Sequence, residues 1–202
     1  IDQSAPSLGM PKKSEQILRK LRVCPTFLMV GTIEPRKGYL QTIEAFTQLW
    51  LQGHDVNLVI VGNEGWKGWV PPEMCRDIPQ TIQKLRSHPE QGNRLFWLEG
   101  ISDQYLNEIY TASSCLIAAS YGEGFGLPLI EAAQHKLPII ARDIPVFREV
   151  AMNCAYYFSD QSNPAVIAEA VKDWLDKHRL GNVPMSDDIP WLTWKQSAAM
   201  LC

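Results

Sequence analysis

The stretch Cys115-Leu-Ile-Ala-Ala-Ser-Tyr-Gly-Glu-Gly-Phe-Gly-Leu-Pro-Leu-Ile-Glu-Ala-Ala-Gln-His135 joins an apolar run to a helical pattern through a loop unlike an ordinary connector. Cys115 to Ala119 is short and continuously apolar, which suits an inner strand of a parallel sheet buried on both faces. Gly122, Gly124 and Gly126 then remove side chains at alternate positions. A ligand can approach the main chain closely there, and the chain can take the unusual dihedrals of a tight turn. Pro128 suits the first helical position, where its missing N–H costs nothing. The free N–H groups of that first turn and the positive end of the helix dipole would point back at the loop, making an anion site.

Two carboxylates bracket the loop, Glu123 inside it and Glu131 about one turn into the helix. Helical side chains lean toward their own N-terminus, so Glu131 should lie beside whatever anion the helix end holds. A carboxylate would repel a phosphate. The placement makes sense if Glu131 accepts hydrogen bonds from neutral hydroxyls next to the phosphates, such as a ribose 2′,3′-diol, while Glu123 faces a second hydroxyl-rich group. Phosphate flanked by two sugars describes a nucleotide sugar. The plainer alternative is a glycine turn with two solvated glutamates.

Glu123-Gly-Phe-Gly-Leu-Pro-Leu-Ile-Glu131 resembles the E-x7-E motif of the retaining GT-B glycosyltransferases of the large glycosyltransferase 4 group. The resemblance implies that Glu131 binds the nucleotide ribose and that the main chain of Gly124, Phe125, Gly126 and Leu127 contacts phosphate and sugar. It implies further that Glu123 contacts the transferred sugar.

A chain of 202 residues with 46% apolar content can form one well-cored α/β domain but not two of normal size. Net charge of −3 and a pI near 5.8 argue against a general nucleic-acid surface or a polybasic membrane surface. No apolar run approaches bilayer-spanning length and no charged-then-apolar leader opens the chain, so a soluble domain is expected. Five cysteines, Cys24, Cys75, Cys115, Cys154 and Cys202, are scattered without C-x-x-C spacing. They indicate neither a disulfide framework nor a zinc site and suit a reducing cytoplasm. The four histidines share no metal-ligand spacing.

Residues 1–22 read as a polar lead-in with a short helix over Ser14 to Leu21. Phe27 to Gly31 is an apolar strand ending on glycine, and Leu40, Ile43, Phe46 and Trp50 give the helix over Tyr39 to Leu51 one apolar face. Between them lie Arg36 and Lys37, adjacent cations near the C-terminal end of a strand, where open α/β sheets bind ligands. Two solvated loop cations would be the bland reading. The wording VGTIEPRKG, residues 30–38, resembles the family's diphosphate-binding loop, which begins at Gly31. There a basic residue often follows that glycine directly; here Thr32 does, so the phosphate role passes to Arg36 and Lys37.

Asn57 to Val61 is a second strand, and Trp66 and Trp69 in the loop after it could stack on a base or sugar or simply cover the sheet end. Gln80 to Ser87 reads as helical, Arg94 to Leu98 as a third strand, and Ser102 or Asp103 can cap a helix to about Ala112. The resemblance places the main chain of Ile101 beside the nucleotide base. Leu137 to Ala141 and Ala155 to Phe158 are further strands, with a short helix over Pro145 to Val150 between them. Lys136 stands where the family often has a glycine. Asn163-Pro164 starts a helix with Ile167, Val171, Trp174 and Leu175 on one face, and a last helix is expected from about Trp191, with Trp194, Ala198 and Leu201 on one side. A dinucleotide G-x-G-x-x-G, a P-loop and a G-x-S-x-G elbow are all missing.

The alternation of strand and helix predicts a doubly wound, Rossmann-like parallel sheet of about six strands with helices on both faces. By resemblance over Thr26 to Leu201, residues 23–202 are the carboxy-terminal, nucleotide-sugar-binding half of a retaining GT-B hexosyltransferase, and residues 1–22 the linker from an amino-terminal acceptor half. Arg36 and Lys37 would neutralise the diphosphate leaving group without a metal, aided by the Gly124 to Leu127 amides. The implied partners are a nucleotide-diphosphate sugar as donor substrate, with no separate cofactor, a glycan or lipid-linked acceptor, and the amino-terminal half; no nucleic acid is implied. The family analogy leans toward mannose-like sugars in bacterial surface polysaccharides, made in the cytoplasm at the inner face of the membrane through peripheral attachment of the other half. Alone, the chain should bind donor yet transfer sugar poorly. The rivals are one half of a nucleotide-sugar epimerase and a non-catalytic nucleotide-sugar-binding module.

Overall fold

The computed structural model describes residues 5–65 and 77–191. Six parallel strands form one sheet in the order β3-β2-β1-β4-β5-β6: β1 Thr26–Val30, β2 Asn57–Val61, β3 Leu95–Leu98, β4 Cys115–Ala118, β5 Ile139–Arg142 and β6 Tyr156–Phe158. The helices are α1 Ser14–Leu21, α2 Tyr39–Leu51, α3 Asp77–Ser87, α4 Asp103–Ala112, α5 Leu127–Gln134, α6 Pro145–Ala151 and α7 Pro164–Arg179. The doubly wound Rossmann-like expectation is met.

The strands are mostly apolar because both faces are covered, with Thr26, Asn57 and Arg142 at their ends as buried polar exceptions. Phe27, Met29, Leu58, Ile60, Cys115, Ile117 and Ile140 pack with α2, α3 and α7. Their alternate neighbours Leu28, Val59, Val61, Leu116, Ala118, Ile139 and Ala141 pack with α1, α4, α5 and α6. Side chains alternate across a strand, so a continuous apolar run serves two cores at once. At the centre of the first core the Phe27 ring meets Phe46 edge-on at 5.5 Å and Trp174 at 5.4 Å between centroids.

Several boundaries differ from the sequence reading. Within the described residues α3 already includes Asp77, Ile78 and Pro79, ahead of the Gln80 expected from the sequence. Strand β5 begins at Ile139, since Leu137 closes α5 instead. The N–H of Leu137 donates to Ala132 O at 2.9 Å and that of Lys136 to Ala133 O at 3.0 Å, a Schellman stop that puts Lys136 at φ 54°. Ser102, not Asp103, caps α4: its Oγ accepts from Tyr105 N at 3.1 Å. Asp103 instead accepts from the Ser7 N–H and hydroxyl, both at 2.8 Å, so the lead-in is strapped across the start of α4. Trp66, Trp69 and the helix expected beyond Trp191 lie outside the described residues.

Candidate functional site

Strands β1 and β4 are neighbours from which the chain winds off in opposite directions, β2 and β3 to one side, β5 and β6 to the other. Their C-terminal ends therefore border the crevice where open α/β sheets hold ligands. Arg36 and Lys37 lie in a short 3-10 turn, Pro35–Lys37, rather than in free loop. Gly38 follows at φ 71°, and a Cβ there would lie 2.3 Å from the carbonyl oxygen of Ala119. Only glycine lets the turn after β1 press against the end of β4 this closely.

That approach brings the sequence-selected ions together. Lys37 Nζ lies 2.5 Å from Glu123 Oε1, to which Ser120 Oγ also donates at 2.8 Å. Arg36 Nη1 donates to Glu123 Oε2 at 2.8 Å and to Gly122 O at 3.1 Å, while its Nε lies 2.9 Å from Glu34 Oε2. The side chains of Glu123 and Lys37 are only 9% and 13% exposed, against 43% for Arg36, so the Lys37 pair is the less screened by solvent. Burial pushes the Glu123 pKa up, but hydrogen bonds from Lys37, Ser120 and Arg36 outweigh it and leave the carboxyl below its ordinary range.

One crevice is lined by Val30, Lys37, Ser120, Glu123, Pro128 and Phe147, so the ion cluster and the start of α5 share it. Of the three loop glycines only Gly126, at φ 78°, needs glycine's backbone freedom, as the residue entering α5. Gly122 and Gly124 avoid the left-handed region, and a Cβ on either would meet nothing within 4 Å, so their role reduces to leaving open space. Helix α5 starts at Leu127, which makes Pro128 its second residue rather than its first. Among the described residues the N–H groups of Gly124, Phe125, Gly126 and Leu127 find no acceptor. Phe125 and Leu127 are 58% and 47% exposed and form the rim.

Glu131 is half-buried and its Oε2 accepts from the Tyr110 hydroxyl at 2.8 Å. Burial raises its pKa, opposed by that hydrogen bond and by the charge of Lys37, which therefore acts on both glutamates. Gly31 lies against the Lys37 side chain, where a Cβ would sit 3.6 Å from Nζ, while Thr32 is exposed. Ile101 follows β3, two strands from β1, next to a Gly100 N–H held by Asn63 Oδ1 at 2.8 Å. It shares the ligand edge of the sheet but not the ion cluster.

Sequence reasoning missed Ser120, Tyr110, Glu34 and the support behind the loop. Arg142 at the end of β5 is wholly buried. Its Nε donates to Ala119 O at 3.0 Å, its Nη1 to Gln161 O at 3.0 Å and its Nη2 to Gln41 Oε1, and its guanidinium lies 4.0 Å from the Tyr121 ring centroid. The charged end of the otherwise apolar run Ile139-Ile-Ala-Arg142 was the available signal, since a buried arginine demands partners. Nothing local marks Tyr110. Among the described residues no group of three or more His, Cys, Asp or Glu could hold a metal, and no helix is long and apolar enough to cross a membrane.

Comparison with known proteins bears on the family and the fold. The chain is 51% identical over 201 residues to the serotype-specific mannosyltransferase WbdA of Escherichia coli; the match takes in 100% of this chain but 23% of that protein. It is 31% identical over 131 residues to the O-antigen chain mannosyltransferase RfbU of Salmonella typhimurium, covering 65% of this chain and 33% of that protein. Its fold matches the crystal structure of the C-terminal domain of a glycosyl transferase group 1 family protein, LpcC, from Francisella tularensis, with TM-score 0.65 and 20% identity over 91% of this chain and 90% of that one. Residues 13–184, which carry both the Arg36-Lys37 turn and the Glu123 to Glu131 segment, match the family of glycosyl transferases group 1, and the chain belongs to that family.

Proposed function

We propose that this chain is the donor-binding half of a retaining, metal-independent hexosyltransferase that moves a mannose-like sugar from a nucleotide diphosphate to a glycan or lipid-linked acceptor. The observation that carries the reading is the meeting of Lys37, Arg36 and Glu123 beside the unpartnered amides at the mouth of α5. Breaking the anomeric C–O bond places negative charge on the departing diphosphate. In this reading the two cations, gathered on Glu123 beside the helix N-terminus, stabilise that charge as it forms.

Glu123 has a double task in this scheme. Its carboxylate offers about four lone-pair sites. Lys37, Ser120 and Arg36 occupy three donors' worth of them, leaving one for a hydroxyl of the transferred sugar. Glu131 holds the ribose, and Ile101 borders the base. Positive charge comes from side chains, so the scheme needs no metal and no cofactor beyond the donor itself. The mannose preference draws support from the mannosyltransferase relatives.

The chain spans about a quarter of the length of its WbdA relative, which leaves room for the acceptor site that this reading gives to an amino-terminal half, with the whole protein working at the cytoplasmic face of the membrane. Residues 1–22 are then the linker, anchored through Ser7 to α4. The test is a thermal-shift panel of ADP, CDP, GDP, UDP and their hexose conjugates, since a ligand that binds only the native state raises its melting temperature. One nucleoside diphosphate and its sugar should stabilise the chain, and transfer to acceptor should require the other half. A panel without any shift refutes donor binding; steady sugar transfer by the 202-residue chain refutes the division of labour.

A further inference from the structure

Glu131 is buried enough for its charge to be disfavoured, yet a hydroxyl-binding carboxylate serves best when ionised. Helix α4 supplies the remedy. Tyr110 is 2% exposed, and its hydroxyl donates to Glu131 Oε2 at 2.8 Å. Its ring lies flat on the His135 imidazole, 4.5 Å between centroids with planes 1° apart. Glu131 lies within α5 and His135 is the residue that caps its end, and Tyr110 contacts both, its hydroxyl on the carboxylate and its ring on the imidazole. Glu131 Oε1 makes no hydrogen bond among the described residues and is not one of the fully buried, unpartnered oxygens.

Resting on the assignment of Glu131 to the ribose, we infer that Tyr110 is a positioning residue for donor recognition: it occupies Oε2 and leaves Oε1 oriented to accept the ribose hydroxyls. The groups facing Glu131 are Tyr110 from α4 and Lys37 from the turn after β1; His135, just past the end of α5, faces the Tyr110 ring, and its burial lowers its pKa. Tyr110 itself stays protonated, because burial and then the nearby Glu131 charge raise its pKa. It is therefore a permanent donor. Without its hydroxyl the burial that raises the Glu131 pKa is opposed by Lys37 alone, so Glu131 protonates at a higher pH and the ribose contact fades on the acid side first.

The experiment is calorimetry with the nucleoside diphosphate that stabilises the chain in the panel above and with its 2′,3′-dideoxy counterpart, at pH 7.5 and pH 5.5. The proteins are the parent, Tyr110→Phe, Glu131→Gln and the double variant, with near-ultraviolet dichroism confirming the fold of each. Tyr110→Phe should weaken ribonucleotide binding about five- to twentyfold at pH 7.5, and more at pH 5.5. It should leave dideoxynucleotide binding unchanged and add no loss on top of Glu131→Gln. Unchanged ribonucleotide affinity in Tyr110→Phe while Glu131→Gln loses binding overturns the inference and spares the ribose assignment. Equal loss toward the dideoxynucleotide also overturns it, because only packing would then be involved. Unchanged affinity in Glu131→Gln overturns the ribose assignment and the inference together.

Discussion

Lys37→Met keeps most of the aliphatic stem and deletes the ammonium that sits 2.5 Å from Glu123. Both side chains are well under one third exposed, 13% and 9%, so solvent screening does not erase the pair. Arg36 and Ser120 remain as partners of the carboxylate, which keeps the loss below the ~3–5 kcal/mol of a fully orphaned buried ion. About 2 kcal/mol of stability should go, near the worth of one hydrogen bond to a charged group. In a domain of this size that lowers the melting temperature by roughly 4–8 °C.

The deficit should depend on pH in a defined direction. The folded Glu123 carboxyl titrates below its ordinary range, so its contribution is present above the unfolded value and lost as pH falls through the folded one. Losing Lys37 leaves burial, the largest influence, less opposed, and the folded pKa rises. Parent and variant should therefore differ most near neutrality and converge in acid as Glu123 protonates in both. Urea titrations at pH 7 and pH 3.5 measure this, and calorimetry with the stabilising nucleoside diphosphate should show binding about ten- to a hundredfold weaker in the variant. A variant equal to the parent in both stability and affinity would refute the assignment of Lys37 to the diphosphate and the energetic weight given to its pair with Glu123.

Gly38→Ala forces a Cβ to within 2.3 Å of Ala119 O at a left-handed backbone position, so it should cost more than about 2 kcal/mol and weaken nucleotide binding by displacing Lys37; thermal melts and calorimetry check both effects. Lys136→Gly should act in the opposite sense. Its φ of 54° already has the conformation glycine prefers at a Schellman stop, and about 0.5–1 kcal/mol should be gained in denaturant titrations. Arg142→Met should lower stability by about 3 kcal/mol and loosen the Ser120 to Glu123 loop, since Ala119 O loses its buried partner; hydrogen exchange at Tyr121, whose N–H is held by Arg36 O, should accelerate.

Everything governed by near neighbours was open to reading in the amino-acid order. Phe27 and Met29 face one core and Leu28 the other, as the two-residue period of a strand dictates, and α2 occupies the span its apolar spacing predicts. The Glu123 to Glu131 segment declared a glycine loop running into a helix because turn and helix-start chemistry is written in adjacent residues. Even there the start of the helix slipped by one residue, since several first-turn positions tolerate Pro128 equally.

The pairing of those local pieces was decided only by the folded chain. Lys37 meets Glu123 across 86 residues, Arg142 reaches Gln41 across 101, and Tyr110 reaches Glu131 from a different helix. Such contacts depend on strand order and on how closely two loops approach, quantities that a 3.6- or two-residue period does not encode. The sequence announced which charges this protein carries near its ligand edge. Which of them neutralise one another, and which carboxylate oxygen is left open, was set by the crossover of the sheet at β1 and β4 and by the absent side chain of Gly38.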